Sequence, residues 1–124
     1  MIGDEARIVD AFCQWLVTRG WHTQPELDYV DVVATRGDRR IFAEAKGRTT
    51  CPGLDVDTLY GQLLRRVPRS AIGHDILAVV VPDVVKKFAE RVPIEVRRVL
   101  NIHIFTVSEL GSVQCVGDGL DPTL

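Results

Sequence analysis

The amino-acid sequence predicts an α/β fold in which helices flank a mixed central β-sheet. Two strand-like segments are separated by a short turn at Gly37 and Asp38, which is typical of an antiparallel hairpin. A continuous, valine-rich segment at 75–82 is typical of a strand that is covered on both faces, as in a parallel arrangement. Helical and then strand-like sequence follows up to residue 107, so we expect a right-handed crossover between parallel neighbours.

The first half of the chain predicts one helix and three strands. Apolar residues recur at helical spacing over 4–19, and Gly20 is a stop signal for this first helix. A short strand over 21–24 precedes the hairpin, whose two strands cover 29–35 and 41–47.

The second half predicts two helical regions and further strands. Pro52 and Gly53 indicate a loop over 48–56, and the second helix covers 55–67 with an aspartate as its cap, either Asp55 or Asp57. The remaining predicted elements are the strand at 75–82, a helical region at 83–100 that Pro93 interrupts, a strand at 102–107, an edge strand at 112–116 and a loose tail at about 117–124.

Length and composition indicate one domain over residues 1–124. Of the 124 residues, 46% are hydrophobic and 26% are charged, as is usual for a soluble globular protein. No segment approaches the roughly 18 consecutive apolar residues of a membrane helix, and the N-terminus lacks the order of a signal peptide. We therefore expect a cytoplasmic protein that does not enter membranes. The net charge of −2 implies that nucleic-acid binding would depend on a local basic face.

Two opposite charges lie within the strand-like segment FAEAKG. Because side chains alternate across a strand, Glu44 and Lys46 share one face, and the small residues Ala43 and Ala45 share the other. The alanines suggest that a helix packs closely on their face. If the hairpin closes at its two-residue turn, Asp31 lies on the same side as Glu44.

Asp31, Glu44 and Lys46 together would have a chemical use. Two carboxylates repel each other unless a cation lies between them, and hard oxygen ligands suit Mg²⁺. A bound Mg²⁺ lowers the pKa of a water and stabilises a phosphoryl transition state, while a lysine orients water or neutralises charge. The alternative is a salt bridge of Lys46 with Glu44 or Asp31 on a strand face that is exposed to solvent.

Two further polar residues lie on the inward sides of the predicted helices. Glu5 is three residues before Ile8 in the first helix, and Gln62 is three residues after Leu59 in the second. A carboxylate that faces the core is costly without a partner. The alternatives are a first-turn glutamate that complements the helix dipole and a glutamine at the boundary of the core.

The order of these motifs resembles the PD-(D/E)XK nuclease superfamily, and in motif pattern it resembles the resolvase-like members most. The resemblance implies a restriction-endonuclease-like αβββαβ core, to which this chain adds a C-terminal helix and strand. The matching features, over about residues 4–107, are Glu5 in the first helix, Asp31 at the start of an apolar strand, EAK at 44–46 and YGQLLRR in the following helix.

The resemblance implies a metal site. Asp31 and Glu44 would bind Mg²⁺, or Mn²⁺ as a substitute, with the backbone carbonyl of Ala45 as a further ligand. Lys46 would position or activate the attacking water. Glu5 is similar to the helix-one glutamate that completes the metal site in many members, often through water.

Other positions match less closely. Gln62 is similar to a helix-two glutamine that lies near the site or the phosphate backbone in resolvase-like members. Val30 stands where the motif has a proline, at a position that many members vary. Asp28 competes with Asp31 as the first carboxylate, but an offset of three residues directs it to the other face of a regular strand.

We therefore expect a metal-dependent nuclease that hydrolyses DNA phosphodiesters, as an endonuclease or an exodeoxyribonuclease, with RNA as an open alternative. One domain leaves no room for a separate recognition domain, so a structured substrate, a homodimer or a partner subunit would supply selectivity. The alternative function is a catalytically silent module that uses the same fold to bind nucleic acid or a protein. Arginines that follow the site are expected to contact phosphates, or else to be solvated residues near helix ends. These are Arg48, Arg65, Arg66 and Arg69.

Overall fold

The computed structural model of the chain describes residues 2–27, 30–117 and 124, and places helices on both faces of one β-sheet. The predicted α/β class is confirmed, with its αβββαβ core, and in the described residues the C-terminal addition consists of two short helices and two strands. Short 3₁₀ turns cover Arg69–Ala71 and Asp83–Val85. In chain order, the helices and strands are α1 (Ile2–Thr18), β1 (His22–Leu27), β2 (Val30–Arg36), β3 (Arg39–Ala45), α2 (Pro52–Arg66), β4 (Ile76–Pro82), α3 (Lys86–Ala89), α4 (Ile94–Leu100), β5 (Ile102–Val107) and β6 (Val113–Val116).

The sheet runs in sequence order from β1 to β6 and is mixed. The first three strands are antiparallel neighbours, β3, β4 and β5 are parallel, and β6 is antiparallel to β5. A two-residue turn at Gly37 and Asp38 joins β2 to β3, so that Arg36 pairs with Arg39. Turns of this kind need a positive φ, and Gly37 supplies it with a φ of 64°. The parallel neighbours require crossovers, which α2 and the α3–α4 region provide.

Two apolar cores lie on opposite faces of the sheet. On one face, Phe12 of α1 belongs to the same core as Ala43 and Ala45 of β3. On the other face, Phe42 of β3 belongs to a core with residues of α2 and α3. The alternation predicted for β3 is therefore confirmed, since the small alanines face α1 and the positions between them face α2.

Two element boundaries near the predicted site differ from the expectation. β3 ends at Ala45 rather than two residues later, although the Lys46 backbone N–H still donates to the carbonyl oxygen of Val80 at 3.0 Å. The next bond of the parallel ladder would need an N–H at Pro82, and proline has none. α2 begins at Pro52 rather than near residue 55, because the first turn of a helix tolerates a proline that lacks the N–H.

Other boundaries differ less. β1 covers His22–Leu27, which begins later and extends further than the predicted 21–24. The break at Pro93 is confirmed, since α4 begins at the next residue. Asp28 and most of the predicted C-terminal tail, residues 118–123, lie outside the described residues. Among the helices that the structure describes, none is both long and apolar enough to span a membrane.

The loop after β3 is held against the N-terminus of α1. A Cβ atom at Gly47 would lie 2.6 Å from the backbone nitrogen of Glu5 and 2.8 Å from the carbonyl carbon of Asp4. One carboxylate oxygen of Asp4 accepts the backbone N–H of Arg48, and the other accepts Nε–H of Arg7 at 3.1 Å. The absence of a side chain at Gly47 therefore allows α1 to begin directly beside the end of β3.

Gly47→Ala should destabilise the protein by about 1–3 kcal/mol, because the added methyl group would overlap backbone atoms of α1. Gly61→Ala is a matched control, since Gly61 is exposed within α2 and a Cβ atom there meets nothing within 4 Å. The control should be neutral or stabilising by up to about 1 kcal/mol, because alanine is the better helix former. Urea denaturation measures both free energies of unfolding, and wild-type stability in Gly47→Ala would contradict the close contact.

Candidate active site

Asp31 of β2 and Glu44 of β3 lie opposite each other at the end of the hairpin that is far from its turn. The strands pair Val32 with Ala43, so the next position along the ladder brings Asp31 to Glu44. The Asp31 backbone N–H donates to Glu44 Oε2 at 3.4 Å, and Asp31 Oδ2 accepts the backbone N–H of Ala45 at 2.8 Å. The structure thus brings together the two carboxylates that the sequence pattern placed on one face.

Glu44 is completely buried, with 0% of its surface exposed, and it lies in register with Val79 of β4. An ionised carboxylate in such surroundings costs on the order of several kcal/mol unless a partner compensates. Arg66, the last residue of α2, is such a partner, because its Nη1 atom lies 3.0 Å from Glu44 Oε1. The Arg66 side chain is 34% exposed, so this ion pair connects the interior of the sheet with the surface.

The electrostatic surroundings of Glu44 favour its protonated form. Burial, together with the negative charge of Asp31, raises the pKa of Glu44 to about 7, against the opposing effect of Arg66. One guanidinium group therefore does not offset both the burial and the neighbouring carboxylate. A further positive charge at the pair would stabilise the ionised form, as expected of a site that binds a cation.

Lys46 lies at the carboxyl end of β3, immediately beyond the last strand residue. Its backbone is held by the hydrogen bond to Val80 of β4, and its side chain is half-buried. The carboxyl end of parallel strands is where open α/β sheets commonly bind ligands. Asp31, Glu44 and Lys46 are therefore placed at one end of the sheet by two adjacent strands.

The donor atoms at this end of the sheet suit Mg²⁺ or Mn²⁺. Asp31 and Glu44 offer carboxylate oxygens, and the N–H of Ala45 points to Asp31. The N–H and C=O groups of one strand residue face the same neighbouring strand, so the Ala45 carbonyl faces β2, the strand that carries Asp31. In the part of the chain that the structure describes, no group of three or more His, Cys, Asp or Glu side chains could hold a metal ion. Mg²⁺ in proteins commonly binds one or two carboxylates and keeps several waters, so the two carboxylates of Asp31 and Glu44 are enough to hold it.

Glu5 of α1 and Gln62 of α2 were also expected at this site. The backbone of Glu5 contacts Gly47, which follows Lys46 directly, and the Glu5 side chain is half-buried. Gln62 is also half-buried and lies one helical turn before Arg66 on α2. The catalytic roles of both residues stay predictions.

The four arginines that were expected to contact phosphates have different surroundings. Arg65 and Arg69 are exposed, and the exposed Arg48 donates to Glu109 Oε1 at 3.1 Å. Arg66 instead contacts Glu44, a role that the sequence reasoning missed. Helical spacing could have predicted this inward position of Arg66. Arg66 is seven residues after the buried Leu59 and therefore lies on the same face of α2.

In metal-free buffer, the protein should lose stability as the pH rises from about 4.5 to about 7. The pKa of Glu44 is raised from 4.5 to about 7 on folding, so the folded state binds the extra proton in this window and the unfolded state does not. The loss should be about 3 kcal/mol, and Glu44→Gln should remove it.

The measurement is urea denaturation with chelator at about pH 4 and about pH 8, which bracket the window. Glu95→Gln, at an exposed position in α4, is the control and should keep the wild-type difference between the two pH values. The same difference in Glu44→Gln would show that Glu44 does not titrate in this window.

Comparison with known proteins supports the fold. No protein-family model and no curated protein matches the sequence. A crystal structure of an XisH family protein from Nostoc punctiforme superposes with a TM-score of 0.60 at 17% sequence identity, covering 90% of this chain and 99% of that one. A crystal structure of an fdxN element excision controlling factor protein from Anabaena variabilis gives a TM-score of 0.61 at the same identity and coverage. At this identity the similarity establishes a shared fold, and the chain has the fold of these two proteins.

Proposed function

We propose that this protein is a metal-dependent nuclease that hydrolyses phosphodiester bonds of DNA with Mg²⁺, or with Mn²⁺ as a substitute. The observation that carries the proposal is the Asp31–Glu44 pair at the end of β3, next to Lys46. The two carboxylates lie on neighbouring strands, Glu44 is fully buried, and burial beside Asp31 raises the pKa of Glu44 to about 7. The PD-(D/E)XK resemblance assigns the same residues to a nuclease site.

Each residue of the predicted site has a role in the proposed chemistry. Asp31, Glu44 and the Ala45 carbonyl oxygen would hold the metal ion, which would supply positive charge to the reacting phosphate and acidify a water. Lys46 would orient the attacking water and offset the negative charge that develops on the phosphoryl group. Glu5 would contact the metal ion through a water molecule. Gln62 of α2 would lie near the phosphate backbone of the substrate.

DNA is the substrate that we favour. One similar structure is named for control of fdxN element excision, which supports a role on DNA. The exposed Arg65 and Arg69 would contribute phosphate contacts near α2, in a protein whose net charge is only −2. RNA is the alternative substrate, and a homodimer, a partner subunit or a branched substrate would provide selectivity. The proposal includes a cytoplasmic location.

Lys46→Ala should reduce DNA cleavage by about 10²-fold or more, because it removes the positive group beside the reacting phosphate. The assay uses duplex, single-stranded and branched DNA with Mg²⁺, with Mn²⁺ and with chelator. Lys86→Ala is the control, since Lys86 is an exposed lysine at the start of α3 and should keep wild-type activity. Cleavage that persists in chelator or in Lys46→Ala would refute the proposed mechanism.

A specific observation also favours the second candidate, a catalytically silent nuclease-fold module that binds nucleic acid or a partner protein. The Arg66 guanidinium already pairs with Glu44, and no third carboxylate joins the pair among the described residues. A permanent ion pair at this position would be a structural substitute for the metal ion.

Metal titration should separate the two candidates. A nuclease should bind Mn²⁺ in calorimetry, and Asp31→Asn and Glu44→Gln should each weaken binding by about tenfold or more, because each removes one anionic ligand. Glu95→Gln should bind as the wild type does. Absence of Mn²⁺ binding in the wild type would favour the silent module.

A further inference from the structure

The Arg66 side chain lies between the buried Glu44 carboxylate and the protein surface, so its guanidinium group can bind either the carboxylate or a ligand at the surface. It is the last residue of α2, and the chain after it is extended, with φ −64° and ψ 135° at Val67. Its guanidinium group contacts the fully buried Glu44, while 34% of its side chain is exposed to solvent. A change of side-chain rotamer, without any change of the backbone, would therefore move the positive charge outward.

We propose that Arg66 is an exchangeable counter-ion of the Asp31–Glu44 pair, and that it couples metal binding to phosphate binding. While the pair holds no metal, Arg66 neutralises Glu44. When a divalent cation binds between the carboxylates, the guanidinium group leaves Glu44 Oε1 and binds a phosphate of the nucleic acid. This inference rests on the proposed metal-dependent function of the site.

Electrostatic repulsion favours the exchange. Glu44 Oε1 accepts from Arg66, and Glu44 Oε2 accepts from the backbone of Asp31. A metal ion bound to the same carboxylate would bring a second positive charge within a few ångströms of the guanidinium group, in surroundings that screen charge poorly. The two cations therefore compete for Glu44, and a bound metal favours the outward position of Arg66.

The surface that receives Arg66 is suited to a phosphate. Arg65, its neighbour on α2, is exposed, and so is Arg69 three residues further on. A guanidinium group binds phosphate through two parallel N–H bonds, which a released Arg66 can offer. Binding of the metal ion would release Arg66 to bind a phosphate, and binding of the phosphate would in turn favour binding of the metal ion.

The test compares Arg66→Met, which removes the charge but keeps an apolar stem, with Arg65→Met, which removes an equal charge from the exposed neighbouring position. Calorimetry without nucleic acid measures Mn²⁺ affinity at constant ionic strength. Arg66→Met should bind Mn²⁺ about tenfold more tightly than the wild type, because the competitor is gone, and Arg65→Met should stay within about twofold.

A second measurement follows the phosphate contact. Fluorescence anisotropy of a labelled DNA duplex is recorded with chelator and with Ca²⁺, in protein that carries Lys46→Ala so that the duplex stays intact. Ca²⁺ should tighten DNA binding in the Lys46→Ala protein and in the same protein with Arg98→Met, at an exposed position of α4, and Arg66→Met should lose most of this increase. If Ca²⁺ increases the DNA affinity of Arg66→Met as much as it increases the affinity of the protein that carries Lys46→Ala alone, the coupling is refuted.

The inference and the proposed function fail in different ways. If Mn²⁺ binds the wild type through Asp31 and Glu44 but Arg66→Met binds it no more tightly, the exchange is refuted and the nuclease site stands. If neither protein binds Mn²⁺, both are refuted. Should Arg66→Met fail to fold, Arg66→Gln provides the same test, because it also removes the competing charge and should bind Mn²⁺ about tenfold more tightly than the wild type. An Mn²⁺ affinity of Arg66→Gln equal to that of the wild type would contradict the exchange.

Discussion

In the hairpin of β2 and β3, the two-residue turn at Gly37 and Asp38 determines which residues lie opposite each other. A slip of one residue would turn Glu44 toward α1 and would turn Ala45 toward α2, because side chains alternate across a strand. The observed register brings Asp31 to Glu44 and directs the small alanines to the tightly packed helix. The candidate site and the packing of α1 therefore depend on the same pairing.

The burial of Glu44 opposes stability, and the fold offsets it only in part. Arg66 and the backbone of Asp31 contact the carboxylate, yet its pKa remains raised to about 7. Proteins commonly accept such costs at functional sites. The two similar solved structures do not decide which function this is, because one fold supports many chemistries. The choice between nuclease and silent module depends on whether a metal ion can replace Arg66 at Glu44.

The fold was largely predictable from local patterns. Alternation identified the hairpin, the valine-rich segment identified the buried parallel strand, and the proline at 93 identified the break between the last two helices. Element ends were harder to predict. β3 ends where it does because its neighbour β4 carries Pro82, and a single strand does not reveal its neighbour. The start of α2 was missed because Pro52 suits both a loop and a first helical turn.

For the candidate site, the sequence by itself determined which side chains share a face, because the period of a strand is local. It therefore identified Asp31, Glu44 and Lys46 as one group at one end of the hairpin. Only the tertiary structure decided how deeply Glu44 is buried and which cation reaches it. Arg66 is 22 residues from Glu44 in the chain, and their contact depends on how α2 crosses the sheet. That crossing is a property of the packed fold, since it follows from the two apolar cores and not from any single segment.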